Sequence, residues 1–336
     1  MAFEYTNKND ISLPLAVFLM HDEYKHDARP NVISATGLIR PTRQTVLMQQ
    51  NPTEAKTVDI SELIASRMGS AIHKGCEIAW TNPDTIKKAL KLFGMSEDAI
   101  ENIKINPAFV KQGETPIYVE QRIEKEVPGV SDAFDMPFII SGQYDLVLDG
   151  TLNDFKSTSV WAYIYESSVD NFIKQGSIYK WLSPDKITSD YINIHYIFTD
   201  WSAARAREKK DYPQFKAVTK KYPLWSIEET ENWIMNKAEA LNNLWATPQE
   251  GLPECTKEEL WASDTVYKHY KNSTSTRATN GGVHTSMDAA LIHKANQGNV
   301  GIIKTIPGEV KACRYCPVVS VCNQAATMLA DGSLTL

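Results

Sequence analysis

The chain has 336 residues, 43% hydrophobic and 23% charged, with a formal net charge of −6. That length allows about two domains or one elaborated domain, and the mix is that of a folded protein, not a disordered one. The acidic balance excludes a uniformly basic nucleic-acid coat and leaves room only for a local basic cleft. No apolar run approaches the roughly 18 residues a membrane helix needs. The best candidate, Leu13 to Met20, is short and interrupted by Pro14. It suits neither a signal peptide nor an anchor, so the chain is expected in the cytoplasm, or in the host cytoplasm if phage-encoded.

Residues 1–55 mix short apolar stretches with a turn-rich Arg40-Pro41-Thr42-Arg43 segment. A strong helix follows. Ile60, Leu63, Ile64, Met68, Ala71, Ile72, Gly75 and Ala79 fall on one face at helical spacing. Asp59 with Glu62 resembles a capping box at its start. A second helix is expected over 84–93. The centre is strand-like: Ile117 to Val127 alternates, and so in part does Phe138 to Leu148. Asp149-Gly150 supplies a hairpin turn, and Thr151 to Lys156 resumes as a strand. A helix over 166–182 and a strand from Tyr191 to Phe198 come next. Helix, three strands, helix, strand suggests an α/β or α+β core.

The stretch 204–221 is locally basic and includes Arg205, Arg207, Lys209 and Lys210. Ser226 and Glu229 open a long helix to about Leu244 as a capping box. Beyond it are strands over 265–271 and 300–306, with a helix between them N-capped by Ser286. Residues 325–336 are expected to form a frayed tail. There is no Gly-x4-Gly-Lys-Ser/Thr loop and no Gly-x-Gly-x-x-Gly, which removes support for a P-loop motor or a dinucleotide-binding domain.

Four features of the centre carry chemistry. Gly69, His73 and Glu77 are spaced four apart on the long helix, so His73 and Glu77 can point the same way. Gly142 and Asp145 lie on one strand, and Asp154 and Lys156 share a face of the next. A tight turn between those strands brings the two aspartates together. Gln175 and Tyr179 are one turn apart on the following helix. Two carboxylates and an imidazole facing one point suit a hard cation, Mg²⁺ or Mn²⁺. A lysine beside such an ion orients a water or stabilises charge developing on phosphate, so the set describes phosphodiester hydrolysis.

This ordered set resembles the PD-(D/E)XK nuclease superfamily in its RecB-like branch, which carries Gly-x3-His-x3-Glu, Gly-x-x-Asp, Asp/Glu-x-Lys and Gln-x3-Tyr. The resemblance covers about residues 60–200. The chain is similar to phage-encoded exonucleases of that branch, which share a Thr-Asp-Trp segment, here Thr199-Asp200-Trp201. The resemblance implies a restriction-endonuclease-like core: a central mixed β-sheet flanked by helices. It implies that His73, Asp145, Asp154 and the Phe155 carbonyl bind the metal and that Lys156 serves the attacking water. Gln175 and Tyr179 would position the nucleic-acid strand. Glu77 is a further ligand, a partner orienting His73, or a solvated charge. Arg205, Arg207, Lys209 and Lys210 either hold phosphates or form a solvated face.

Of the five cysteines, Cys313, Cys316 and Cys322 cluster. In a reducing compartment such a cluster indicates a metal before it indicates disulfides. A closed site needs a fourth thiolate, for which Cys255 is the candidate; Cys76 lies inside the long helix and is expected to pack there. Iron–sulfur nucleases of the RecB-like branch place a fourth cysteine ahead of the first nuclease motif, where this chain has Arg40-Pro41-Thr42-Arg43. A [4Fe–4S] cluster is the expected occupant, with Zn²⁺ as the alternative.

The expected organisation is an N-terminal segment over 1–55, a nuclease core over 56–250, a cysteine-cluster subdomain over 251–324 and a tail. The expected activity is metal-dependent exonuclease action on DNA ends, in recombination, repair or phage DNA processing. A recombinase, single-strand-binding protein or helicase is the expected partner, since the chain carries no motor of its own. A structure-specific or nicking endonuclease, and a non-catalytic nucleic-acid-binding or inhibitor protein on the same scaffold, are the alternatives.

Overall fold

The computed structural model describes residues 3–22, 27, 29–51, 56–131 and 136–336. The chain divides into two units: Met1–Arg40 with Glu54–Asn242, and Pro41–Thr53 with Asn243–Leu336. The expected N-terminal segment is therefore shared between the two. Among the described residues no helix is long and apolar enough to cross a membrane.

The first unit is built on a mixed sheet. Its main strands are β1 (Thr115–Ser131), β2 (Pro137–Leu148), β3 (Thr151–Thr158), β4 (Tyr191–Phe198) and β5 (Ala217–Pro223), adjacent in that order. Short strands Ile103–Ile105 and Val32–Ser34 pair parallel with β1 and β2. β1, β2 and β3 run antiparallel, while β4 pairs parallel with β3. The parallel step needs a crossover. The helix α1 (Val169–Leu182) supplies it, and its second half from Gly176 to Leu182 is buried. The fold is thus mixed α/β, a central mixed sheet flanked by helices.

The hairpin between β2 and β3 turns at Asp149 and Gly150, with φ of 47° and 71°. Positive φ at both central residues matches the right-handed strand twist, which is why this dipeptide closes the turn. Alternation then buries Ile192, Ile194, Tyr196 and Phe198 along β4. The basic stretch after β4 is not wholly an open face, since its second half pairs antiparallel with β4 as the edge strand β5.

The helix α2 (Ile64–Trp80) departs from expectation in two ways. Its first expected turn, Ile60–Leu63, is a 3₁₀ turn capped by Asp59, whose side chain accepts from Ser61 N at 3.1 Å. Asp59 also accepts from Thr6 Oγ1 and Lys8 N, so it ties down the N-terminal strand where a Glu62 box was expected. The apolar stripe is not a core face either, because Ile64, Met68, Ala71 and Gly75 are exposed. What holds α2 close to the sheet is Gly69, where a Cβ would stand 3.3 Å from Ser157 Oγ of β3.

In the second unit, strand Val266–Tyr270 pairs antiparallel with Val283–His284 and Ile302–Ile306, beside helix Met287–Asn296. Ser286 caps that helix as expected, accepting from Ala289 N. The expected tail is structured. Helix Asn323–Ala330 forms, and Val310, Cys313, Ala325 and Leu334 share one buried cluster. Apolar burial outweighs chain-end fraying here: Leu334 is 2% exposed.

Candidate active site

The β2–β3 hairpin sets the site. Leu146 pairs with Asn153, so the next pair outward places Asp145 opposite Asp154. On the other side of β2, Val119 pairs with Leu146 and Gln121 with Tyr144, which puts Glu120 opposite Asp145. Three carboxylates thus stand in a row across three strands.

α2 lays His73 over this row. His73 Nδ1 is 3.1 Å from Asp145 Oδ2. The same oxygen accepts from Phe155 N at 3.0 Å. The bond to Asp145 raises the pKa of His73 against the opposing effect of burial. Asp154 is 4% exposed, and burial pushes its carboxyl above the ordinary range despite the lysine beside it. Lys156 Nζ stands 2.7 Å from Asp154 Oδ2. The approach is off hydrogen-bond geometry, leaving that buried oxygen without a hydrogen bond. Burial opposes the charge on Lys156, but the neighbouring Asp154 carboxylate prevails and raises its pKa.

Glu120 is the residue that sequence reasoning missed. It follows the alternation of β1 and looks like a solvent-facing strand residue. Instead its φ is 50°, a left-handed conformation uncommon for a non-glycine residue and a mark of strain held by its surroundings. Gln143 Nε2 donates to its Oε2 at 2.6 Å. Burial, then the charges of Asp145 and Glu77, push its pKa up to about 6. Glu77 pairs with Lys74 at 2.8 Å, and its charge acts on Glu120. Burial, then the charges of Asp145 and Glu120, push up the thiol of Cys76.

Gln175 and Tyr179 bond to each other, with Nε2 donating to Oη at 2.8 Å. Tyr179 is buried, edge-on to Tyr144 at 6.3 Å. The Thr199-Asp200-Trp201 segment is a joint between strand ends. Thr199 N donates to Thr158 O, Asp200 Oδ1 accepts from Val160 N at 2.7 Å, and Trp201 Nε1 donates to Pro213 O. Arg205, Arg207, Lys209 and Lys210 are all exposed on and just after helix Ala203–Glu208, with Ala206 as its buried anchor.

In the second unit Cys255, Cys313, Cys316 and Cys322 line one cavity together with Arg43. Burial, reinforced by neighbouring charges, pushes the Cys255 thiol up to about 12 and Cys313 up to about 11. Among the described residues no three His, Cys, Asp or Glu side chains close on a single point tightly enough to hold a metal ion. The donor chemistry fits metals at both places nonetheless. The first site offers two aspartates and an imidazole, with Lys156 against the buried Asp154, a donor set suited to a hard cation. The second offers four thiols on one cavity, suited to zinc or an iron–sulfur cluster.

No family model and no curated protein matches the chain. Solved structures similar over part of it include the following. A protein designated SSO0001 is 17% identical, over 67% of this chain and 81% of its own, with a TM-score of 0.36. An alkaline exonuclease from Laribacter hongkongensis is 10% identical, over 65% of this chain and 93% of its own, with a TM-score of 0.31. A phage-related exonuclease from Haemophilus somnus 129PT is 13% identical, over 40% of this chain and 61% of its own, with a TM-score of 0.25.

Proposed function

We propose that the chain is a Mg²⁺- or Mn²⁺-dependent deoxyribonuclease that releases nucleotides from DNA ends. The observation that carries this reading is the junction of Asp145, Asp154 and Lys156 on one hairpin. Asp145 is tied to His73 and to the Phe155 amide, and Asp154 is buried with one oxygen unbonded. Lys156 already meets that oxygen at 2.7 Å; what suits a hard cation is the gathering of two carboxylates and an imidazole at one place. Asp145, Asp154, the Phe155 carbonyl and His73 would hold that cation, with Glu120 next in the row. A bound divalent ion supplies a lowered water pKa and neutralises phosphate oxygens.

The chain's own residues do the remainder. The Phe155 amide and His73 fix the Asp145 carboxylate in one rotamer. Lys156, charged and held against Asp154, presents its ammonium to the water and to the charge developing on the phosphate. Gln175 and Tyr179 brace the strand that carries Asp145. Their proposed part in strand positioning runs through that packing. The exposed cations Arg205, Arg207, Lys209 and Lys210 would meet the phosphate backbone. The four cysteines would hold [4Fe–4S] or Zn²⁺ as a staple of the second unit. A role in recombination, repair or phage DNA processing, with a recombinase, single-strand-binding protein or helicase delivering the end, follows from an end-directed nuclease without a motor.

The test uses linear and closed-circular DNA with Mn²⁺, beside Lys156→Ala. Nucleotide release from the linear form alone, lost in the variant, is expected. Cutting of the circle makes the protein an endonuclease. Binding without cleavage of either, or of single-stranded DNA, makes it a binding protein.

A further inference from the structure

Arg43 lies outside the proposed active site and is 3% exposed, on helix Thr42–Gln50. Its Nη1 donates to Leu252 O at 3.1 Å and its Nη2 to Gln249 O at 3.2 Å and to Asn323 Oδ1. Its Nε donates to Cys322 Sγ at 3.4 Å. Among the described residues no Asp or Glu forms an ion pair with it. A buried cation without a counter-anion is destabilising, as a broken buried pair is. Carbonyl dipoles soften that cost without cancelling the charge. The one acceptor on the guanidinium able to become an anion is the Cys322 sulfur, and a metal-bound cysteine is a thiolate.

The surrounding bonds bring Cys255 to the same place. Gln324 Oε1 accepts from Cys255 N, Gln324 Nε2 donates to Cys255 O, and Asn323 N donates to Gln249 Oε1. The guanidinium therefore bridges the two segments that carry Cys255 and Cys322, and it shares their cavity with Cys313 and Cys316.

We propose that Arg43 is the built-in counter-cation of a tetrathiolate metal centre on Cys255, Cys313, Cys316 and Cys322, donating from Nε to the Cys322 sulfur. The inference rests on the reading of those cysteines as a metal site. Zinc or a four-iron cluster held by four thiolates keeps a net negative charge inside the fold, and Arg43 offsets it. The guanidinium tightens metal retention. In a redox-active cluster it also favours the reduced, more negative form.

The test compares full-length wild type with Arg43→Met and Arg43→Lys, each loaded with zinc or reconstituted with iron and sulfide. Metal release to a chromogenic chelator and thermal midpoints with and without metal are read. Arg43→Met is expected to weaken retention about 10- to 100-fold, with Arg43→Lys recovering part of the loss. Its midpoint falls in the loaded protein and holds or rises in the metal-free one. Equal retention in wild type and Arg43→Met overturns the proposal, as does equal destabilisation of loaded and metal-free protein, which marks Arg43 as a mere strut. A wild-type chain that takes up neither metal overturns the metal site itself, and the proposal with it.

Discussion

The ring of Tyr179 occupies the space a side chain on Gly142 would need: a Cβ there would stand 2.7 Å from Tyr179 Cε1 and 3.1 Å from Leu182 Cδ1. The glycine three residues before Asp145 and the tyrosine four after Gln175 are thus one packing unit. It sets the strand carrying Asp145 against α1. Gly142→Ala is expected to destabilise by about 1–3 kcal/mol through overpacking, read as a lowered urea midpoint with unchanged slope.

The buried Asp154 and the half-buried Lys156 form an ion pair on β3. Lys156→Met strands the carboxylate and is expected to cost about 3–5 kcal/mol in the metal-free protein. Asp154→Asn with Lys156→Met is expected to recover most of that loss, so a double-mutant cycle gives a coupling well above the scatter for independent sites. Additive losses would mean that the two side chains do not share a site.

The hairpin and its motif residues were readable because the chemistry is local: Asp149-Gly150 fixes the register, and two-residue alternation fixes which side chains share a face with Lys156. Glu120 was not readable, since nothing in an alternating strand announces a left-handed residue. The exposed stripe on α2 was misread because periodicity shows amphipathicity without showing what covers it. Nor could spacing reveal that Arg43 joins Leu252 and Cys322, contacts made across more than two hundred positions of chain. The early segment lacks the cysteine that the family resemblance called for, yet it still reaches the cysteine cavity, contributing a cation in place of a thiol.

Glu120 makes stability depend on pH. Its carboxyl titrates at about 6 in the fold against 4.5 for the free group. Because the folded value is the higher one, its contribution is complete below about 4.5 and is lost as pH rises through about 6. Glu120→Gln keeps an acceptor for Gln143 and removes the charge. It is expected to raise metal-free stability at pH 8 by up to about 2 kcal/mol, with the gain vanishing at pH 4. Thermal midpoints at the two pH values check this.

Asp200 adds a second bond at the start of helix Val160–Ile164, accepting from Val160 N beside the N-cap Ser159. Asp200→Ala is expected to cost about 1–2 kcal/mol, as lost caps do, and to leave the metal dependence of cleavage unchanged. A change in that dependence would show that the joint touches the chemistry.

The central claim is that one constellation, anchored by Asp145, hydrolyses DNA with a divalent metal. The most direct measurement is the Mn²⁺-dependent release of nucleotides from end-labelled linear DNA by wild type and Asp145→Asn, with thermal midpoints alongside. The account predicts release by wild type only when Mn²⁺ is added, and a loss of at least about 100-fold in a variant that stays folded. Release by folded Asp145→Asn at the wild-type rate, or no metal-dependent release by wild type, would contradict it.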